Sequence, residues 1–283
     1  ADFVKFQIYK TDNLIVPKAP KAKYQLLNMK SKSGESQYQM LKEYELGYKE
    51  HLELIKNCKK NKIKYLGSIF DVESLNFLLK HSKYIKIPSG EITNLNLLKK
   101  IKGNGLKVIL STGLSNFAEV KKAVNLLLKN KIKKANLTIL HCNSEYPSTR
   151  LEDLNLNVIK IFKKKFKTNV GYSDHTNTDI SAITCIALGG TVIEKHFTLS
   201  QKLKGPDHSS SLNPFQLKNY IQKIRHANIS LGNGIKKITK SEKKNLNYIR
   251  KSIYAKKDIK KNERFSEENI ICKRPLVKGV KSE

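Results

Sequence analysis

The chain has 283 residues, 39% of them hydrophobic, enough to bury one sizeable core with a small appendage. Its longest apolar runs, such as "VNLLL" and "CIALGGTVI", fall far short of the roughly 18 apolar residues of a membrane span. Four scattered cysteines with no CxxC pair argue against a zinc cluster or disulfide framework, so a soluble, cytoplasmic protein with reduced thiols and no membrane partner is expected.

The net charge of +31 invites a nucleic-acid reading, but arginine is confined to Arg150, Arg225, Arg250, Arg264 and Arg274. Lysine supplies the rest, spread along helical stretches such as "KNCKKNKIK" and "IFKKKFK". Binding surfaces for nucleic acid favour bidentate arginine gathered on one face. Solvated helix faces in a lysine-rich composition are therefore expected, with no nucleic-acid partner and some steering of anionic substrates.

In chain order, short β-rich runs occur at "FVKFQIY" (Phe3 to Tyr9), "KYLGSIF", "YIKIPS", "KVILST", "LTILHC", "NVGYS" and "TVIEKHF". Each is followed by a stretch with helical spacing of apolar residues. Near-continuous apolar strands alternating with helices predict an α/β fold with a parallel sheet, and a count near eight predicts a TIM (β/α)8 barrel. Seven runs are present, and the sequence enters a strand within two residues of Ala1, so a barrel lacking its first strand and helix is expected over residues 1–236. The polar stretch "NGIKKITKSEKKN" places a linker at 237–249. Residues 250–283 then read as two short strands around a turn and a single helical turn, the start of a domain too small to bury a core alone.

Barrel chemistry sits at the C-terminal ends of the strands. Those ends carry Lys5 and Gln7; Ser68 and Phe70; Lys86, Ser89 and Glu91; Ser111 and Thr112; Ser144 and Tyr146; Ser173, Asp174 and His175; then Glu194 and His196. Polar groups at one mouth raise the free energy wherever they lack partners, so their convergence signals a binding site. His175 and His196 end successive strands and can reach one point, which suits a divalent ion with open positions, whereas His141 reads as a hydrogen-bonded structural residue. Lys86 within "KIPSGE", and "STG" at 111–113, offer charge, hydroxyl and backbone donors to a phosphate-bearing substrate.

The segments "VKFQ", "APKAKYQ", "KIPSGEITNLNLLKKI", "VILSTGLSNFAEV", "LHCNSEYPS", "GYSDHT", "VIEKHFTL", "GPDHSSSLNP" and "RKSIYAKKDI…KRP" resemble the N-acetylneuraminate (sialic acid) synthase family, which includes legionaminic acid synthases. The family's N-terminal "AEIG…NHNG" strand is absent from this sequence. The resemblance implies a TIM barrel followed by the beginning of a SAF (antifreeze-like, β-clip) domain, in a homodimer whose SAF domains are swapped. It implies condensation of phosphoenolpyruvate with N-acetylmannosamine or a related 2-acetamido sugar to a nine-carbon nonulosonic acid and phosphate. The implied cofactor is a divalent metal, Mn²⁺ with Mg²⁺ or Co²⁺ as alternatives, on His175 and His196. Lys5, Ser68, Lys86, Ser89, Ser111, Ser144 and Ser173 would contact phosphoenolpyruvate, Gln7, Tyr146 and Asp207 the sugar, and Glu91 the reacting carbon. Arg274 would reach a partner's sugar site. Alternatives are a related phosphoenolpyruvate-dependent keto-acid synthase and a non-catalytic basic binding protein.

Overall fold

The computed structural model describes residues 1–29 and 36–277. The chain divides by its contacts into two units, Ala1–Leu231 and Gly232–Glu283, and the last six residues of the second lie outside the described part.

The first unit is built on seven parallel strands: β1 (Phe3–Ile8), β2 (Lys64–Ile69), β3 (Tyr84–Ile87), β4 (Lys107–Ser111), β5 (Leu137–Cys142), β6 (Asn169–Asp174) and β7 (Val192–Lys195). They lie in sequence order, each hydrogen-bonded to the next. All seven match the β-rich runs of the sequence, with β6 running one residue further, to Asp174. Helices follow and cover them: α1 (Thr11–Leu14), α2 (Lys23–Met29), α3 (Gln37–Tyr44), α4 (Tyr48–Lys60), α5 (Val72–Leu79), α6 (Leu95–Lys100), α7 (Phe117–Lys129), α8 (Val158–Phe166), α9 (Ile180–Ala187) and α10 (Pro214–Ser230). Among the described residues no ladder joins β1 to β7, so the curled sheet is open at that seam. The two strands beside it are accordingly the less buried ones. No helix among the described residues is long and apolar enough to cross a membrane.

Helix starts follow from side-chain capping. Asn116 and Asn213 each accept from the backbone of the residue three places on, while Glu119 and Gln216 return the bond, and Pro214 takes the first turn of α10, where its missing N–H is harmless. The core lies between sheet and helices, where Ile8, Ile69, Ile85, Ile87, Leu110 and Ile139 from the strands meet Leu75, Leu78, Val124 and Leu127 from the helices, all buried.

In the second unit β8 (Ser252–Ala255) and β9 (Ile270–Lys273) pair antiparallel, as the two expected short strands. Between them the expected single helical turn lies at 267–269, where the Ile270 N–H donates to the Ser266 carbonyl at 3.0 Å. The stretch read as a linker holds two short helices, α11 (Lys240–Lys243) and α12 (Leu246–Ile249). The reason is local: Thr239 and Glu242 form a capping box, a helix-start signal within "TKSE" that a polar composition conceals.

Close approach of β6 to β7 depends on Gly171. A Cβ there would lie 2.0 Å from the Val192 carbonyl oxygen and 2.8 Å from Leu140 Cδ2. Backbone cannot yield as a flexible side chain can, so Gly171→Ala should destabilise the fold by about 1–3 kcal/mol or more, seen as a lowered urea midpoint at unchanged m-value. An unchanged midpoint would mean that β7 can shift at no cost.

Candidate functional site

Strand periodicity decides which side chains meet. Successive residues of a strand point to opposite faces, and β6 and β7 pair so that Ser173 stands beside Glu194 and Asp174 beside Lys195. The sequences "SDH" and "EKH" thus sort into two layers. Ser173, His175, Glu194 and His196 face the mouth, while Asp174 and Lys195 face the helices.

The outer pair is structural. Asp174, fully buried, lies 3.3 Å from Lys195 Nζ, accepts from Tyr220 of α10 at 2.5 Å, and accepts from both the backbone N and Oγ1 of Thr176 at 2.8 Å. Lys195 also donates to the Thr176 carbonyl. Every oxygen of the carboxylate is engaged, so Asp174 is not available to a ligand and instead holds the chain at His175.

The two imidazoles stand edge to face with ring centroids 5.2 Å apart, and Tyr146 lies against both, 4.3 Å from His175 and 5.6 Å from His196. Tyr24 of α2 stacks on Tyr146 at 5.2 Å. His175 Nδ1 is 2.7 Å from the Asn143 carbonyl oxygen, which makes Nδ1 the protonated nitrogen and leaves the Nε2 lone pair free. Burial pulls the His175 pKa down, but Cys142 beside Nδ1, the Asn143 carbonyl and Glu194 outweigh it, and the net shift is upward. Burial, with the charges of Lys5 and His175, pushes His196 down to about 3, so it is neutral across the physiological range. Asp207 Oδ2 is 3.6 Å from His196 Nδ1, and its Oδ1 is buried without a hydrogen-bond partner. The two neighbouring imidazoles fit a divalent cation with open positions. Among the described residues no three His, Cys, Asp or Glu side chains stand in ligating geometry, so the remaining positions would fall to water and substrate oxygens.

Beside the histidines is a cradle for negative charge. Lys5 of β1 and Lys86 of β3 both turn to Glu194 of β7, with Nζ to Oε1 distances of 2.8 and 3.6 Å, and Ser173 Oγ donates to the same oxygen at 3.1 Å. Burial pushes Lys86 down to about 8, against the opposing pull of Glu194. Burial of Glu194 favours its neutral form, but the two lysines overcome this and hold the carboxyl far below the usual range. Ser68, in register with both Gln7 and Lys86, is buried, and buried Ser111 has a hydroxyl with no partner.

A third group gathers where Gly113 has no side chain. A Cβ on Gly113 would lie 2.1 Å from Ser144 Oγ, 2.9 Å from Ser89 Oγ and 3.1 Å from Cys142 Sγ, and its N–H donates to Ser89 Oγ at 2.9 Å. Cys142, Asn143 and Ser144 also line one wall of a groove of about 570 Å³ between α7 and α8.

The remaining candidates are held by other contacts or face solvent. Glu91, raised by burial, accepts from Asn94 Nδ2 at 2.7 Å. Gln7 is exposed. Thr112 donates to the Leu140 carbonyl, Phe70 packs edge-on against Tyr9, and His141 bonds the Leu154 carbonyl, as its structural reading anticipated. Arg274 belongs to the second unit, where its Nε donates to the Ile249 carbonyl at 2.8 Å. The central place of Glu194 was not assigned from sequence, although its alternation with Lys195 and His196 carries the signal. Tyr24 and Asn143 had none, because Tyr24 comes from helix α2, outside the strand ends, and Asn143 acts through its backbone carbonyl.

The model of the NeuB family matches residues 1–236, and that of the SAF domain matches 250–283. An N,N'-diacetyllegionaminic acid synthase of Campylobacter jejuni is 50% identical over 276 residues, covering 97% of this chain and 82% of the relative. A second, from Legionella pneumophila, is 38% identical and covers 97% and 77%. The crystal structure of an N-acetylneuraminic acid synthetase from Leptospira borgpetersenii superposes with a TM-score of 0.71 at 31% identity, covering 86% of this chain and 79% of that one. The chain belongs to the NeuB family, carries SAF-domain sequence after its barrel, and is an enzyme of the synthase kind its relatives represent.

Removing Asp174 should be among the most damaging single changes in this region. Asp174→Ala strands a buried ammonium and a buried phenol, and should lower stability by about 3–5 kcal/mol in urea unfolding. Tyr220→Phe, which removes one hydrogen bond only, should lose about 0.5–1.5 kcal/mol. Equal losses would mean that the Asp174–Lys195 pair contributes nothing of its own.

Proposed function

We propose that this NeuB-family chain is a nonulosonic acid synthase that condenses phosphoenolpyruvate with a 2-acetamido sugar, releasing phosphate. Of the sugars its relatives' products imply, a 2,4-diacetamido-6-deoxy sugar leading to N,N'-diacetyllegionaminic acid is favoured over N-acetylmannosamine, on the 50% identity to the Campylobacter synthase. The observation that carries the reaction is the adjacency of two sites at one mouth: a two-lysine cradle suited to an anion, and a pair of neighbouring imidazoles suited to a cation.

In this reading Lys5 and Lys86 hold the carboxylate and phosphate of phosphoenolpyruvate, with hydroxyls of Ser68, Ser89, Ser111, Ser144 and Ser173 as further donors. A divalent cation, Mn²⁺ or alternatively Mg²⁺ or Co²⁺, on His175 and His196 would supply Lewis-acid polarisation of the sugar aldehyde. Tyr146, fixed against both imidazoles, orients the sugar with Gln7 and Asp207, so that C3 of phosphoenolpyruvate faces the aldehyde carbon. Attack leaves a cationic centre at C2, which water captures before the C–O bond to phosphate breaks. Glu91, whose carboxyl is raised by burial, is suited to take the proton of that water. The same reading makes the working form a homodimer in which Arg274 serves the sugar site of a partner protomer.

Three measurements test this. Phosphate release in the intact protein should require phosphoenolpyruvate and be faster with the 2,4-diacetamido sugar than with N-acetylmannosamine; the reverse order would move the assignment to sialic acid, and release with neither sugar would overturn the reaction. His175→Ala and His196→Ala should each lose Mn²⁺ binding in calorimetry, together with turnover, while melting as the parent does; retained binding by both variants would remove the metal from these side chains. For Lys86 the sign follows from its depressed pKa: the group is charged below about 8 and neutral above. Phosphoenolpyruvate affinity should therefore begin to fall as pH rises above about 8. Lys86→Met should abolish that dependence and weaken phosphoenolpyruvate, but not sugar, by about 1.5–3 kcal/mol.

A further inference from the structure

Glu194 is an unusual neighbour for a site that takes anions. Its Oε1 receives Lys5 at 2.8 Å, Lys86 at 3.6 Å and Ser173 at 3.1 Å, so a carboxylate already satisfies the donors that a ligand's anionic group would need. The side chain is 12% exposed and Lys86 only 4%, which places this charge arrangement where water screens it poorly. An arriving anion must displace Glu194 from the lysines or sit beside it against like-charge repulsion.

We propose that Glu194 is the resident anion of the lysine cradle and sets its selectivity, keeping free inorganic phosphate off Lys5 and Lys86. This rests on the reading that those lysines receive phosphoenolpyruvate. A single phosphate can offer each lysine only what Glu194 offers already, so it gains little by entering. Phosphoenolpyruvate presents a phosphate and a carboxylate on one rigid frame and can engage both ammonium groups at once. The phosphate left behind after C–O cleavage meets the same competitor as phosphate from solution, and Glu194 thereby favours its departure. The carboxylate also keeps the two lysines from facing each other unpaired in the absence of substrate, which makes it a positioning residue for both.

The test is calorimetric titration of inorganic phosphate into the full chain in metal-free buffer, with no turnover involved. Glu194→Gln is expected to bind phosphate at least about tenfold more tightly than the parent, and adding Lys86→Met to it should abolish the gain. A second pair protects the test against a Gln variant that fails to fold with two bare lysines: Lys5→Met against Lys5→Met/Glu194→Gln, where the double variant should be the tighter binder. Circular dichroism and melting establish that each compared protein is folded. Unchanged or weaker phosphate binding on loss of Glu194, in whichever pair folds, overturns the proposal. Tightening in a protein that shows no phosphoenolpyruvate-dependent turnover would leave the selectivity of the cradle standing and overturn the proposed reaction instead.

Discussion

The ion pair between Asp174 and Lys195 governs the geometry of the mouth. It lies on the helix-facing side of β6 and β7, directly across the ladder, and fixes which residues are neighbours. A one-residue slip between those strands would turn a histidine outward and bring Asp174 to the mouth, because side chains alternate with a period of two. Such a slip would also separate a buried carboxylate from its buried ammonium, a change disfavoured by several kcal/mol. Register at the site is thus enforced by charges that never face it. Tyr220 extends the same control to α10 and ties a helix distant in sequence to the strand end that presents His175.

The inner layer obeys a different constraint, partial charge compensation. Burial drives the Lys86 titration down despite the pull of Glu194; burial would raise that of Glu194, but the neighbouring lysines override it, so both move down and the carboxylate stays ionised. Next to it the histidines are organised by hydrogen bonding and stacking: a backbone carbonyl selects the tautomer of His175, and Tyr146 wedges against both rings. The proposed cation and anion sites therefore rest on separate supports within a few side chains of one another.

Much of this was legible in the sequence. All seven barrel strands are visible as β-rich runs because parallel strands covered on both faces are largely apolar, whereas β8 and β9 show through their isoleucines and Tyr254. The strand-end histidines, Lys86 and the serines were legible because a barrel presents its chemistry at predictable places in each βα unit. What escaped was set by three-dimensional approach. Nothing in "EKH" by itself says that Glu194 meets a lysine from the first strand, and nothing around Tyr24 says that it will stack on Tyr146. The helices α11 and α12 were missed for a more ordinary reason, since a capping box was present in a stretch judged by its overall polarity. Asp174 was read as one of three polar groups able to bind something; the structure gives it wholly to the fold, because its alternation places it on the other face of the strand.

The seam between β1 and β7 bears on how the protein assembles. Every ladder in the sheet joins strands adjacent in the sequence, contacts that form early and with modest loss of chain entropy. The bridge from Lys5 to Glu194 crosses from the first strand to the seventh, and as the chain leaves the ribosome Lys5 must wait for nearly the whole barrel before its partner exists. The anion cradle is consequently completed late in synthesis, shortly before α10 and its Tyr220 tie to Asp174 arrive. A nascent chain stalled before β7 would carry two lysines at its mouth with no internal counter-charge, and would hold small anions that the finished protein turns away.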